Sequence, residues 1–254
     1  MAKVFNRIRK NLLAKKKFLG YLSYAFGEII LVVIGILIAL QIDQLVQDSA
    51  DIVAVNAFEL RLFKEVQSNI KILDRKMKNL EQRAEASSQI VQMIGDDYQD
   101  KNPRRLDSLL GTVLHFNNIR LGYGALNEGI SNGELDLIKE DSLRTVLYEL
   151  PVHIEAVKKN EDLYNNDYYN TIIPYLNKNY SRRNIDGFSE KYKTIIGTTA
   201  LANNDNLEVL GQKEFENHMR NLLFLNLSLK DHYRGLRRRY MRFEKILQDE
   251  LDKQ

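Results

Sequence analysis

Apolar residues fall into two patterns along this chain. Residues 29–40 read IILVVIGILIAL, an unbroken run in which ten of twelve are Ile, Leu or Val. As a helix that run spans only about 18 Å, short of the ~30 Å hydrocarbon core of a bilayer. Extending it to Tyr21–Ile42 gives 22 residues and a sufficient length. Tyr21 and Tyr24 then fall where a ring can sit among headgroups with its hydroxyl in water. The second pattern alternates spacings of four and three: Val66, Ile70, Leu73, Met77, Leu80, Ala84, Ser87, Val91 and Ile94. It recurs at the other end of the chain in Phe215, Met219, Leu222, Asn226, Leu229, Tyr233, Leu236, Tyr240, Phe243 and Leu247. Both are heptad seams, the signature of helices packed along their length.

Breakers set the remaining elements. No Gly or Pro occurs from Ile36 to Ile94, so one helix is expected to leave the apolar run and continue to a stop at Gly95–Asp96–Asp97. Asn102–Pro103 predicts the cap and first residue of a helix running to about Asn118, burying Leu106, Leu109, Leu110, Val113 and Phe116. Gly122, Gly124, Gly129 and Gly133 punctuate short helices. Glu140 to about Tyr180 reads as helix, interrupted or kinked at Pro151 and Pro174, and 181–211 as a long loop. No useful strand alternation is present. The expectation is an all-α chain: a cytoplasmic tail (1–20), a transmembrane helix (21–42) continuing into a long outer helix, and an antiparallel helical bundle (43–254) that ends in a long heptad helix. The two end helices most simply pair with each other, although pairing between chains fits the same seams. The single polar seam residue, Asn226, is of the kind that fixes register or partner number.

Charge orients the span. Lys3, Arg7, Arg9, Lys10, Lys15, Lys16 and Lys17 precede it without an acid; Asp43, Asp48 and Asp51 follow it, and the next cation is Arg61. The positive-inside bias puts the tail in the cytoplasm and the domain outside, which in a Gram-negative cell is the periplasm. The net charge of +3 belongs to the tail, because residues 44–254 carry 30 basic against 32 acidic groups. A nucleic-acid-binding domain would itself be basic, so none is expected. Phe5, Ile8, Leu12 and Leu19 repeat at helical spacing among the cations. The tail is therefore either an amphipathic helix on the anionic inner leaflet or a solvated topogenic flank. A cleaved signal peptide would also begin with a basic region and a short apolar run. Here the basic region is too long, and LQIDQL offers no small-x-small cleavage site.

Little else points to chemistry. The chain has no Cys, which removes disulfides, thiolate ligands and thiol nucleophiles. The four His (115, 153, 218 and 232) lack metal-site spacing, and no phosphate loop, nucleophile elbow or dinucleotide fingerprint occurs. No catalytic, metal or cofactor site is assigned, and no enzyme activity is expected. Glu28 stands out because a carboxylate within a span is costly and usually faces a partner or a pore. Gly35 lies seven residues on and forms a small-xxx-small step with Ala39, so Glu28, Gly35 and Ala39 are the candidate contact to another membrane helix. Alternatively Glu28 sits shallow and reaches water. Arg234, Arg237, Arg238, Arg239 and Arg242 form a basic patch expected to pair with Asp48, Asp51 and Glu59. Tyr164, Tyr168, Tyr169, Tyr175 and Tyr180 cluster among Asn residues, with half-buried packing expected.

The stretches Phe5–Arg9, Tyr24–Ile30 and LVVIGILIALQI up to Asp43 resemble the N-terminus of a family of uncharacterised single-span membrane proteins from Bacteroidota. Ser131–Lys139 followed by Leu143–Arg144 resembles that family's middle region. Asp43–Gln44 stands where members carry an Asn-Trp pair. The resemblance implies a bacterial inner-membrane location and brings no activity. The expected role is a membrane-anchored structural or interaction protein, partnered by the bilayer and by itself or another inner-membrane protein. The alternatives are a periplasmic sensor or ligand-binding module signalling through a partner, and an accessory subunit of an ion-driven inner-membrane machine.

Overall fold

The computed structural model describes residues 18–95, 102–115, 117–186, 193–197 and 206–253. The basic residues Lys3 to Lys17, Phe5, Ile8 and Leu12 lie outside them, as do Asp96, Asp97 and Phe116. The chain is all-α, without strands among the described residues. It divides into two compact units, 1–56 and Ala57–Gln254.

Helix α1 runs Phe18–Met93 without a break, continuous from Ile36 on as the absence of Gly and Pro there predicts, and ends before Gly95, whose φ of 120° suits glycine alone. Its portion in the first unit is a single helix, largely exposed from Ser23 on, and contains an 18-residue window of mean hydropathy 2.5, apolar and long enough to cross a membrane. Its portion in the second unit is one wall of a bundle.

The other walls are α5 (Asp141–Asp167) and α9 (Lys213–Leu251). The ten residues of the C-terminal seam are the ten that α9 buries. Helix α9 runs antiparallel to α1: Glu81 meets Lys230 at 2.7 Å, Asp74 meets Arg237 at 2.5 Å, and Asn69 meets Tyr240 at 3.3 Å. The end helices thus pair within one chain. Helix α9 is also antiparallel to α5, since Glu161 meets Tyr233 and Asp167 meets Asn221. Of the α1 seam, Val66, Leu73, Leu80, Ala84 and Ser87 are buried as expected, Ile70, Met77, Val91 and Ile94 only flank the core, and Asn69 is buried in place of the expected Ile70. Asn226 is wholly buried in this intramolecular seam, its Nδ2 donating to the Leu222 carbonyl at 2.8 Å.

Shorter elements close the bundle. Helix α2 (Pro103–Val113) starts as predicted, with Asn102 accepting from the Arg104 N–H at 3.0 Å. It stops at Val113, not Asn118, because the following backbone finds partners in side chains of α1 and α5. Helix α3 (Gly124–Ser131) lies directly on the Phe58 ring: a Cβ at Gly129 would come within 2.2 Å of it. Gly133, at φ 73°, turns the chain into α4 (Glu134–Leu137). Pro151 sits inside α5 without ending it. The irregularity comes later, as a π-helical turn at Tyr168–Ile172 ahead of α6 (Ile173–Asn179), whose Pro174 cannot continue a regular ladder. The predicted loop 181–211 contains α7 (Arg182–Asp186), α8 (Lys193–Ile196) and a 3₁₀ turn, Asn206–Gly211.

Candidate functional site

In the first unit Glu28, Gly35 and Ala39 are exposed, and no atom would meet a Cβ at Gly35. Their spacing puts them on one helix face. The exposed apolar surface continues past the predicted span through Leu45, Val46, Ile52 and Val53.

The second unit holds a polar interior that the heptad pattern does not announce. The segment after α2, 117–123, is non-helical and threads alongside α1 and α5, which bind its backbone with side chains. Asn165 bonds both sides of Asn117, accepting from its N–H at 2.8 Å and donating to its carbonyl at 2.6 Å. Asn69 does the same to Gly122, at 2.7 and 3.0 Å. Lys76 Nζ donates to the Asn118 carbonyl at 2.6 Å, and the Ile119 and Ala125 N–H groups donate to Glu161 and Glu65 at 2.9 and 2.8 Å. Buried backbone must find partners, and here side-chain amides and carboxyls stand where a neighbouring strand would be. Glu161, 5% exposed, also accepts from the Tyr233 hydroxyl. Burial, and then Glu161 itself, push the Tyr233 pKa far above its usual value, so Tyr233 remains a donor. Burial lowers the Lys76 pKa, with Arg83 adding to the effect. These groups are engaged in holding backbone, which is scaffold work.

Beside them the Tyr164 hydroxyl sits among Arg83, Asn226 and Asn117, and burial raises its pKa. Neither Tyr164 Oη, Asn226 Oδ1 nor Asn117 Nδ2 completes a well-formed hydrogen bond. A second buried carboxyl, Asp107, accepts from the Tyr180 hydroxyl at 2.6 Å and lies 3.4 Å from Asn206 Nδ2; burial raises its pKa. The tyrosine cluster is therefore deeper than expected: Tyr164, Tyr168, Tyr175 and Tyr180 are buried, and only Tyr169 of the five is exposed. Tyr175 donates to Gln212 at 2.7 Å, and burial, with Glu214 nearby, takes its pKa up to about 12.

The arginine patch pairs differently from expectation. Arg237 makes a two-point contact with Asp74, at 2.5 and 3.2 Å. Arg234 pairs with Asp231 a turn away, and Arg239 donates to the Gly235 carbonyl. Arg238 and Arg242 reach no acid among the described residues. Of the predicted partners, Asp48 and Asp51 belong to the other unit, where Asp51 accepts from Gln47 at 2.9 Å. The α5–α9 groove near this patch, about 340 Å³, brings His153 of α5 beside Asp231, His232 and Arg239 of α9. No cluster of metal-ligating side chains occurs among the described residues. Comparison of the chain with models of protein families, with characterised proteins and with solved structures found no match.

Proposed function

We propose that this chain is a membrane-anchored interaction protein: α1 spans a bacterial inner membrane near its N-terminus and carries a rigid helical bundle on the outer face. The observation that supports it is the long exposed apolar stretch of α1, beside a second unit whose own seams are covered from within. Exposed apolar surface on that scale belongs in lipid or against a partner. The basic tail favours a cytoplasmic N-terminus and a periplasmic bundle. The resemblance of the N-terminus to single-span proteins of Bacteroidota favours the same membrane. Glu28, Gly35 and Ala39 supply the face for a neighbouring helix within the bilayer.

The test is mild-detergent extraction of the full chain from native membranes, with native mass measurement and identification of co-purifying proteins. The expected result is a membrane-fraction protein of mass greater than one chain. A lone monomer without a companion, or a protein in the soluble fraction, would overturn the proposal. A second reading is a ligand-binding role, favoured by the open polar groove lined by His153, Asp231, His232 and Arg239.

A further inference from the structure

We infer that residues 42–56 of α1 form a parallel two-chain coiled coil with a second copy of this protein. This deepens the membrane-anchored interaction role proposed above and rests on it. Ile42, Val46, Ser49, Val53 and Asn56 are spaced four, three, four and three, the repeat that two supercoiled helices require. Leu45 and Ile52 widen the stripe. Val46 and Val53 are 65% and 68% exposed, and Leu45 and Ile52 are exposed with them. Nothing in the first unit covers Leu45, Val46, Ile52 or Val53, and these four lie beyond Ile42, where the 22-residue span ends.

Charge and chemistry select the occupant. No stripe residue is charged. Asp43, Asp48 and Asp51 each lie about 100° or more around the helix from the stripe's centre, so identical chains can approach without acids in the seam. A bilayer surface is a poor occupant, because an interfacial helix flanks its apolar face with Lys and Arg, and residues 43–60 contain neither. The polar stripe residues, Ser49 and Asn56, each carry a donor and an acceptor, so each can satisfy its own counterpart across a two-fold axis. Two copies anchored in one membrane with one topology present this stripe at the same height and in the same direction, which sets parallel, in-register pairing.

The chain lacks Cys, so single-cysteine variants report proximity without background. Val46→Cys, Ser49→Cys, Val53→Cys and Asn56→Cys would be compared with Gln47→Cys, Asp51→Cys and Ala54→Cys on the opposite side, each in the full-length protein oxidised in membranes. The expected result is disulfide dimer several-fold more abundant at the four stripe positions than at the three controls. Val46→Asp combined with Val53→Asp should abolish crosslinking at Asn56→Cys. Equal crosslinking on both sides would overturn the inference, as would none at the stripe. If the stripe stays uncrosslinked while the unmodified protein still migrates with a different partner, the coiled coil falls and the interaction role stands. A wild-type monomer with no companion removes both.

Discussion

At the residue scale two buried tyrosine hydroxyls, of Tyr233 and Tyr164, predict opposite outcomes. Tyr233 donates to a carboxyl that is 5% exposed, so Tyr233→Phe leaves that group short of a partner and should cost about 1–3 kcal/mol in denaturant unfolding. Tyr164 buries its hydroxyl beside Arg83, Asn226 and Asn117, in contacts too poorly aligned to make strong hydrogen bonds. Tyr164→Phe removes it and should leave stability unchanged or raise it by up to about 1 kcal/mol. Equal losses for both variants would show that Tyr164 is better bonded than its geometry indicates. Asp107 predicts a pH dependence. Burial raises its folded pKa above the unfolded value of about 4, so the folded state favours the protonated acid. Its contribution is fully present below the unfolded pKa and is lost as pH rises through the folded one. Asp107→Asn keeps an acceptor for Tyr180 and removes the ionisation. The stability of the variant relative to the native chain should therefore increase between acidic and neutral pH, as followed by denaturation at each pH.

At the element scale, regular helices were legible because periodicity reports burial directly: every seam residue named on α9 from its spacing is buried. The non-helical segment after α2 was not legible, because its conformation is dictated by side chains distant in sequence. Asn69 and Glu161 do carry a signal. Asn69 is three residues after Val66 and four before Leu73, and Glu161 four after Val157 and three before Tyr164, so each occupies a core position on its helix. A polar residue at such a position implies a buried polar partner, but the partner is backbone some forty to fifty residues away. Asn165→Ala and Asn69→Ala would each orphan an N–H and a carbonyl of this segment. Each should cost about 1–3 kcal/mol per group left unpaired, with amide exchange accelerating between Asn117 and Gly122. Spacing also could not reveal that Gly129 is required by contact. A Cβ there overlaps the fully buried Phe58 ring, so Gly129→Ala should destabilise by about 1–3 kcal/mol despite the higher helix propensity of Ala. Gly111→Ala, whose added methyl would meet Ile185 at an ordinary 3.7 Å, is the matched control and should be tolerated in the same melting assay.

At the scale of the whole molecule, the apolar run and the flanking charges make the first unit readable from sequence, while what it binds depends on a surface the chain leaves uncovered. The second unit is different, because both sides of its helix seams lie within it. The α1 residues Phe58, Leu62, Val66, Leu73 and Leu80 and the seam of α9 belong to one buried cluster, and the ion pairs Asp74–Arg237 and Glu81–Lys230 join the same two helices. Both sides of this packing lie within Ala57–Gln254, so its stability does not depend on the apolar stretch that precedes it. A chain beginning at Ala57 should therefore be soluble without detergent, elute as a monomer, and unfold in one cooperative transition within a few degrees of the full-length protein. Residues 23–56 make no such closed core, and their exposed apolar side chains are those that lipid or a second helix would cover. If the Ala57–Gln254 chain instead aggregated or melted without cooperativity, the bundle would need α1's earlier turns for folding itself. The division of labour between an anchoring, self-associating helix and an independently folded bundle would then be untenable.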